Sequence, residues 1–484
     1  MKLSYLRCAL LLMLMLLKSY SSAAAEDLNL PVLGDATSSI VSLEEERELG
    51  QNFLRSLRAQ APRVRDPLLQ DYLEHLIYRL ASHSELQDRR LDLVVIDNNT
   101  INAFAAPGGI VGVNLGLFLY AETENEISAI LAHEIAHLSQ RHFARGLEAS
   151  RGATLSNLAG MLAGIILVSV AGTDAGLAAI TAGQGVAQSQ MLRYSRTREA
   201  EADRVGIQTL AEAEMDPRAM AYMFERLERA NRFNTSRIPE FLLTHPVTRD
   251  RIADTYNQTR QYPQKAYPLN LDYQLMKVRA EVFASDNLPT LIQQFEAGLN
   301  HADPVLKDAS RYGLVLAHTL RGDADAAQRY LNPLKTAHPH KIAVTLAEAA
   351  LHTKVERYEN AEAILEQAVL LNPDNPPISM AYADVMIRSK QPAQAVEVLS
   401  RLVQKRPNDI EAWYLLAEAY GLANDIIGVH EARAEYFVLT GNLDQAVKQL
   451  GYAIPLARDD FTLNARLQTR IEEIHQMRIR DRKS

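Results

Sequence analysis

The sequence predicts a mainly α-helical protein in which a helical core with a small β-sheet precedes an α-solenoid of repeated helices. Three observations predict this fold class. A His-Glu-x-x-His motif at His133–His137 lies in a run of helix-forming residues, and short apolar runs that end at turn residues precede it. A 34-residue period runs through the last third of the chain. The 484 residues, 47% of them hydrophobic, suffice for two or three buried cores.

The first 25 residues have the layout of a secretory signal peptide. Lys2 and Arg7 form a basic start, Leu10–Leu17 is apolar but too short to span a bilayer, and small residues lead to a cleavage site after about Ala25. An uncut membrane anchor is the alternative. Cys8 is the single cysteine, so the mature chain has no disulfide, thiolate metal site or cysteine nucleophile.

Cleavage removes Lys2, Arg7 and Lys18 and takes the formal net charge from −8 to −11. An acidic mature chain is a poor ligand for nucleic acid, so we expect no nucleic-acid partner.

Two amphipathic helices, a strand and a hairpin are predicted ahead of the motif. Glu44–Leu57 begins with acidic residues, which suit the positive end of a helix, and Asp66–Ala81 carries apolar residues at helical spacing. Leu91–Ile96 is the first clear strand. Ile101–Val113 predicts a hairpin that turns at Pro107–Gly109.

The motif itself has the spacing of a metal site. His133 and His137 are four residues apart and share one face of a helix, where two neutral imidazoles make half of a tetrahedral zinc site. Glu134 lies about 100° round the helix, so it reaches a water beside the metal without occupying a coordination position. This arrangement is typical of a zinc hydrolase whose catalytic base is Glu134. A surface helix with two histidines is the alternative.

Glu199, Glu201 and Asp203 open a later helix and are the candidates for the third ligand. Glu199 and Asp203 share a face, whereas Glu201 points about 200° away from Glu199. Glu199 would complete a His-His-Glu set, and Asp203 would accept the outer N–H of a ligand histidine. An acidic surface helix is the alternative. His142 lies about 140° off the ligand face, so we interpret it as a structural or supporting residue.

Further residues are candidates for substrate binding and regulation. The strand with Asn102, Ala103 and Phe104 offers a sheet edge with which an extended peptide would pair through its backbone. The alternative is that both strands of the hairpin are ordinary members of the sheet. His245, on a loop before Pro246, would either stabilise the oxyanion or take the fourth metal position and silence the enzyme until the loop moves. Arg251 is a candidate partner of the substrate or oxyanion. The alternative for both His245 and Arg251 is a position on a surface loop without such a role.

Leu158–Gly183 is apolar except for Asp174. Its uncharged part is short for a membrane span, and its glycines suit close packing. We expect a helical hairpin near the active site. Peripheral membrane contact through Leu158–Gly183 is the alternative.

Beyond a proline-containing stretch at Tyr256–Leu269, small and apolar residues recur every 34 positions. The sets are Pro339, Pro373 and Pro407; Ala327, Ala361 and Ala395; Leu331, Leu365 and Leu399; and Ala349, Ala383 and Ala417. The period resembles the tetratricopeptide repeat, whose stacked helix pairs form a groove for peptides or protein surfaces. We therefore expect a signal peptide at 1–25, a metallopeptidase domain at 26–262 and a repeat domain at 263–484.

The motif residues, with Glu199-x-x-Ala202-Asp203, resemble the HtpX-type gluzincin metallopeptidases, which include the CAAX-prenyl endopeptidases. Asn102–Phe104 with Pro107–Gly109 is similar to that family's edge strand, and His245-Pro246 with Arg251 to its later His-Pro…Arg element. The resemblance runs from about Leu43 to Asp254. It implies one zinc ion per chain, held by His133, His137 and Glu199, with Glu134 as the base.

The whole layout resembles periplasmic metallopeptidases that act in outer-membrane protein assembly. This resemblance implies unfolded or stalled outer-membrane β-barrel proteins as substrates, chaperone activity, and docking of the repeat domain to the β-barrel assembly machinery. Two alternatives are kept: a proteolytically silent chaperone or scaffold, and a membrane-associated processing peptidase.

Overall fold

A three-stranded sheet and the helix beside it form the part of the fold that positions the motif. The computed structural model describes residues 41–149, 162–166, 196–233 and 239–481. The predicted signal peptide lies outside these residues, as does Leu158–Gly183 apart from 162–166, where Leu162 and Ile166 are buried against Phe53 and Phe104. Within the described residues, no helix combines the length and apolar character needed to cross a membrane.

The sheet has the strand order β1-β3-β2, with β1 at Asp92–Ile96, β2 at Ala103–Ala106 and β3 at Ile110–Asn114. β1 pairs with β3 in parallel, and β2 pairs with β3 as the antiparallel hairpin that the sequence predicts. The turn requires glycine, because Gly108 and Gly109 have φ values of +74° and +82°, which other residues rarely adopt. β1 and β2 are the two outer strands of this sheet.

Nine helices with defined bounds accompany the sheet in what we call the sheet region, residues 43–259, and the described residues 162–166 are helical as well. They are α1 (Leu43–Gln60), α2 (Pro67–Ser82), α3 (Gly116–Tyr120), α4 (Glu124–Ser139), α5 (His142–Ala149), α6 (Arg196–Glu212), α7 (Ala219–Phe233), α8 (Glu240–Thr244) and α9 (Arg249–Thr259). The helices predicted at Glu44–Leu57 and Asp66–Ala81 are thus present as α1 and α2.

Helix α4 carries the motif and is the centre of the sheet region. It begins where the Thr123 hydroxyl accepts a hydrogen bond from the backbone N–H of Glu126, and every residue from Glu126 to His137 is buried. It packs against α2, α6, α7 and β2. Helix α6 can approach α4 closely because Gly206 has no side chain. A Cβ at this position would lie 3.2 Å from the backbone nitrogen of His133.

The rest of the chain is a stack of helices, which we call the repeat array, residues 271–481. Its members are α10 (Leu271–Ala284), α11 (Leu288–Gly298), α12 (Pro304–Arg321), α13 (Ala324–Ala337), α14 (Ile342–Lys354), α15 (Tyr358–Leu371), α16 (Pro376–Arg388), α17 (Pro392–Lys405), α18 (Ile410–Leu422), α19 (Ile426–Leu439), α20 (Leu443–Leu456) and α21 (Phe461–Asp481).

The 34-residue period has a clear physical origin. The recurrent leucines, Leu331, Leu365 and Leu399, are fully buried in α13, α15 and α17, and the alanines that share the period are also buried. Small residues at these positions let successive helices approach closely, and the prolines lie between helices, where no backbone donor is lost from a helix. The predicted mainly helical class, with a small sheet followed by a helical solenoid, is confirmed.

The described residues from Leu43 onward form one compact unit. Helix α10 joins the array to the sheet region: the Tyr273 hydroxyl donates to the Ala121 carbonyl at 2.9 Å, and Arg279 lies 2.6 Å from the Asp66 carboxylate. Lys277 donates to three carbonyls at the end of α3, where the helix dipole favours a cation. The domain boundary at 262/263 stays a prediction.

The second half of the array also contacts the sheet region. Arg55 of α1 pairs with Asp481 of α21, and Arg406 pairs with Glu74 of α2. A cavity of about 390 Å³ lies between the two parts, lined by α2 and β1 on one side and by the segment 405–411 on the other.

Candidate metal centre

Four buried side chains converge beside α4. His133 and His137 come from α4, Glu199 from α6, and His245 from the segment after α8, and one ligand atom of each lies within 4.8 Å of the others. The Nε2 atoms of His133 and His137 are 3.1 Å apart, and Nδ1 of His245 is 3.3 Å from Nε2 of His133. Glu199 Oε1 lies 3.0 Å from Nδ1 of His245 and 3.5 Å from Nε2 of His137.

These distances fit a single zinc ion. Donors at about 2.0–2.1 Å from a tetrahedral metal are about 3.3 Å from one another. Five of the six donor pairs are 3.0 to 3.6 Å apart, around this value, and all the donors lie within 4.8 Å of one another. Three imidazole nitrogens and one carboxylate oxygen are also the donors that zinc prefers, and a buried cluster of this kind is stabilised when a cation binds it.

Glu134 lies beside this group without belonging to it. Its side chain is fully buried, and neither carboxylate oxygen has a hydrogen bond of normal geometry within the described part of the chain. Oε1 is 3.4 Å from Nε2 of His245. Burial raises the pKa of Glu134, against the opposing charges of His245 and His133. A carboxylate with a raised pKa next to a metal site is suited to accept a proton.

A carboxylate and a guanidinium hold His133 and Glu199 from behind. Asp203, one turn after Glu199 on α6, places Oδ1 2.9 Å from Nδ1 of His133. Arg251 donates from Nε and Nη2 to the Asp203 carboxylate, both at 2.8 Å, and Nη1 lies 2.8 Å from Glu199. The guanidinium is therefore engaged with both acidic residues in this arrangement.

The buried charges set the protonation of the ligand group. Burial opposes a charge on His133, but its close contacts with the Asp203 and Glu199 carboxylates prevail and raise its pKa to about 9. Burial and the neighbouring His133 and His245 hold the pKa of His137 well below its usual range. Burial also opposes ionisation of Glu199, yet His245 and His133 hold its pKa well below the usual range. A metal held by this group requires the ligand nitrogen of His133 without a proton.

His142 contacts the back of His137, a contact that helical spacing alone does not give. Its Nδ1 lies 2.8 Å from Nδ1 of His137, and its Nε2 lies 3.0 Å from Oε2 of Glu201. Burial lowers the pKa of His142 to about 4, although Glu201 raises it, so the ring is neutral at neutral pH. Glu201, which points away from Glu199 as the sequence predicts, thus approaches the site from outside.

The helix before His245 is fixed to the sheet by a residue that the sequence analysis missed. Glu240 opens α8, and its carboxylate accepts hydrogen bonds from the side chains of Asn98, Asn102 and Asn114 at 3.3 to 3.5 Å. The three asparagines follow or flank strands, which is the one sequence signal that they share. Phe241 stacks on the His245 ring at a centroid distance of 4.7 Å.

The predicted edge strand also borders the site. Ala103 and Phe104 belong to β2, and Asn102 precedes it. The Phe104 ring lies over Gly112, where a Cβ would be only 2.1 Å from the ring, and packs edge-on against Phe53 at 6.2 Å. All three residues are buried, and β2 lies against α4.

Comparisons with known proteins match both parts of the chain. The model of peptidase family M48 matches residues 67–258, and a tetratricopeptide repeat model matches residues 352–419. The beta-barrel assembly-enhancing protease of Escherichia coli (strain K12) is 31% identical over 469 residues, 93% of this chain and 92% of that protein. The protease of the same name from Yersinia pestis is 31% identical over 466 residues, 95% of this chain and 94% of that protein.

A more distant relative matches only part of the chain. The mitochondrial metalloendopeptidase OMA1 of Schizosaccharomyces pombe is 28% identical over 219 residues, 44% of this chain and 60% of that protein.

Proposed function

Because this chain belongs to the family of the beta-barrel assembly-enhancing proteases, we propose that it cleaves unfolded or stalled outer-membrane β-barrel proteins in the periplasm. The chain is a zinc metallopeptidase with a repeat array. Its substrates, its location and a chaperone activity are parts of the proposal. The names of the relatives that match over most of the chain support the role in β-barrel assembly.

We assign the zinc ligands to His133, His137 and Glu199 and the catalytic base to Glu134. The observation that carries this assignment is the convergence of the three ligands at tetrahedral separations, with a buried carboxylate beside them. The edge strand at Asn102–Phe104 is proposed to hold the substrate backbone in an extended form, because it borders α4.

Zinc, when bound here, would polarise the scissile carbonyl and make water more acidic. Glu134 takes a proton from the attacking water and later gives it to the leaving amine. Burial supports this exchange, because the raised pKa of Glu134 brings it closer to that of a general base that works near neutral pH. Asp203 holds His133 through Nδ1, and Arg251 holds both Asp203 and Glu199 in place.

His245 is proposed to keep the resting enzyme inactive. Its Nδ1 supplies the fourth donor of the group, where hydrolysis requires water, and its Nε2 faces Glu134. Movement of α8 would withdraw the ring and admit water and substrate together. The same observation favours the second candidate, a silent chaperone or scaffold in which His245 never leaves.

The repeat array is proposed to bind protein partners, including the β-barrel assembly machinery. Large apolar side chains are exposed along it, among them Leu370 at 77%, Leu371 at 66% and Phe461 at 87%. Stacked helix pairs of this kind form a groove for peptides or protein surfaces, and the adjacent Leu370 and Leu371 would offer it apolar contact. Such a surface would also shield unfolded substrates, which is the basis for the proposed chaperone activity.

The proposal is tested with an unfolded outer-membrane β-barrel protein as substrate and with zinc content measured in each preparation. Glu134→Gln should retain zinc and lose cleavage, whereas His133→Ala should lose both. A Glu134→Gln protein that cleaves at the wild-type rate contradicts the assigned base. The silent chaperone is supported instead if wild type binds zinc and protects the substrate from aggregation, and if neither wild type nor His245→Ala cleaves it.

A further inference from the structure

We propose that His142 and Glu201 form a hydrogen-bonded relay that positions His137 and tightens the binding of zinc. The inference rests on the proposed function, because that function makes His137 a ligand. It adds two positioning residues to the site, neither of which offers an atom to the ligand group itself.

The relay is a continuous line of contacts. Nε2 of His137 faces the ligand group, while its Nδ1 lies 2.8 Å from Nδ1 of His142. On the other side of the His142 ring, Nε2 lies 3.0 Å from Oε2 of Glu201. The His142 side chain is fully buried and that of Glu201 is 21% exposed, so the line runs from the metal site to the protein surface.

When His137 binds a metal through Nε2, hydrogen-bonding roles allow one arrangement of protons along this line. An ionised carboxylate only accepts, so Nε2–H of His142 donates to Glu201. A ligand His137 carries its proton on Nδ1, and at 2.8 Å the two Nδ1 atoms share one proton, so Nδ1 of His142 accepts the Nδ1–H of His137. His137 is left with a bare Nε2 facing the other ligand atoms. Without an acceptor at His142, the ring of His137 is free to carry its proton on Nε2, where it excludes a metal.

The relay lies at the C-terminal end of α4, where the chain turns sharply. Arg141 has φ +48°, a left-handed conformation that non-glycine residues rarely adopt, and this sharp turn brings His142 back onto His137. The Arg141 side chain is held by Glu46, with Nη2 2.8 Å from Oε1. Arg145 contacts the same Oε2 of Glu201 at 3.1 Å, which keeps the carboxylate ionised and in place.

The test measures zinc affinity rather than activity, by competition with a chromogenic chelator on the full mature chain. His142→Ala and the ring-sized His142→Phe lack an acceptor and should bind zinc about 10- to 100-fold more weakly than wild type. In His142→Asn, the side-chain oxygen can take the place of Nδ1, so its affinity should lie within about threefold of wild type. His75→Asn, at a histidine whose side chain is 75% exposed, is the matched control.

Two further results decide the matter if a variant folds poorly. Glu201→Ala alters a partly exposed residue and should still weaken zinc binding several-fold. Nitrogen-15 NMR of the zinc-free protein should show the proton of His137 on Nδ1 in wild type and partly on Nε2 in His142→Ala. Unchanged affinity in His142→Ala overturns the relay, as does an equal loss in the Asn and Phe variants, which would indicate a packing role. Failure of the proposed function looks different, because wild type itself would then bind no zinc or His133→Ala would retain it.

Discussion

His245 contacts the proposed base and the proposed ligands with opposite sides of one ring: Nε2 lies 3.4 Å from Oε1 of Glu134, and Nδ1 lies 3.0 Å from Oε1 of Glu199. In the proposed mechanism, this imidazole occupies the space in which water would stand between base and metal. Proposed cleavage thus depends on the position of α8, because the ring would have to leave before water and substrate enter.

We therefore expect His245→Ala to cleave an unfolded protein on the order of tenfold faster than wild type, the effect of removing about 1.4 kcal/mol of competition. The measurement is the initial rate at equal zinc content. The double variant His245→Ala/Glu134→Gln should be inactive, which excludes a contaminating protease. If His245→Ala retains zinc but is slower, His245 acts in the transition state and self-inhibition is wrong.

A second prediction concerns the anchor of α8. Glu240→Ala removes the acceptor of Asn98, Asn102 and Asn114 and should loosen α8, so cleavage should rise, though less than with His245→Ala. Adding Glu240→Ala to His245→Ala should have no further effect, because both act through one ring. Glu212→Ala, which removes an acceptor of Gln208 in α6, is the control. Additive effects of the two changes would show that Glu240 acts elsewhere.

A third prediction concerns the carboxylate behind His133. Asp203→Asn should weaken zinc binding about 10- to 100-fold, because a neutral amide makes His133 a poorer ligand than a carboxylate does. The fold should survive, since Arg251 also donates to the Pro246 carbonyl at 2.9 Å and contacts Glu199. Chelator competition measures the change, with the exposed Asp250→Asn as control. Wild-type affinity in Asp203→Asn would contradict a role in orienting His133.

A fourth prediction uses the pH dependence of stability at the contact between the sheet region and the repeat array. Burial raises the pKa of Asp409, although the Ala412 N–H and Arg406 oppose it. As pH rises above about 4, the Asp409 carboxyl of the unfolded chain loses its proton before that of the folded chain does. The unfolded state is therefore favoured, and the free energy of unfolding falls until the folded carboxyl is ionised too. Asparagine caps α18 equally well and carries no charge.

The thermal midpoint of Asp409→Asn should therefore match wild type near pH 4 and exceed it by about 1–2 °C at pH 7.5. Scanning calorimetry at both values measures the difference. Asp425→Asn, at the corresponding cap of α19, is the control for the capping change. A variant that is less stable than wild type at pH 7.5 would show that the attraction between Asp409 and Arg406 outweighs the burial of the charge.

The local elements could be predicted because their signals are local. The motif helix, the hairpin turn at Gly108 and Gly109, and the helices of the array each follow from residues that are near one another in sequence. Helix geometry alone predicts that Glu199 and Asp203 share one face of the helix and that Glu201 points the other way. The zinc metallopeptidase and tetratricopeptide repeat assignments are confirmed by the family models that match residues 67–258 and 352–419.

By itself, the sequence determined the fold class, the metal, and the side chains that share a helix face, because spacing along one helix fixes direction. Only the tertiary structure decided what meets across elements. It placed both nitrogens of His245 between Glu134 and Glu199, Glu201 behind His142, and Glu240 among three asparagines. These contacts join residues 46 to 142 positions apart, and no periodicity carries across such distances. They arise only when α4, α6 and α8 pack around one buried point, because buried polar groups must find partners there.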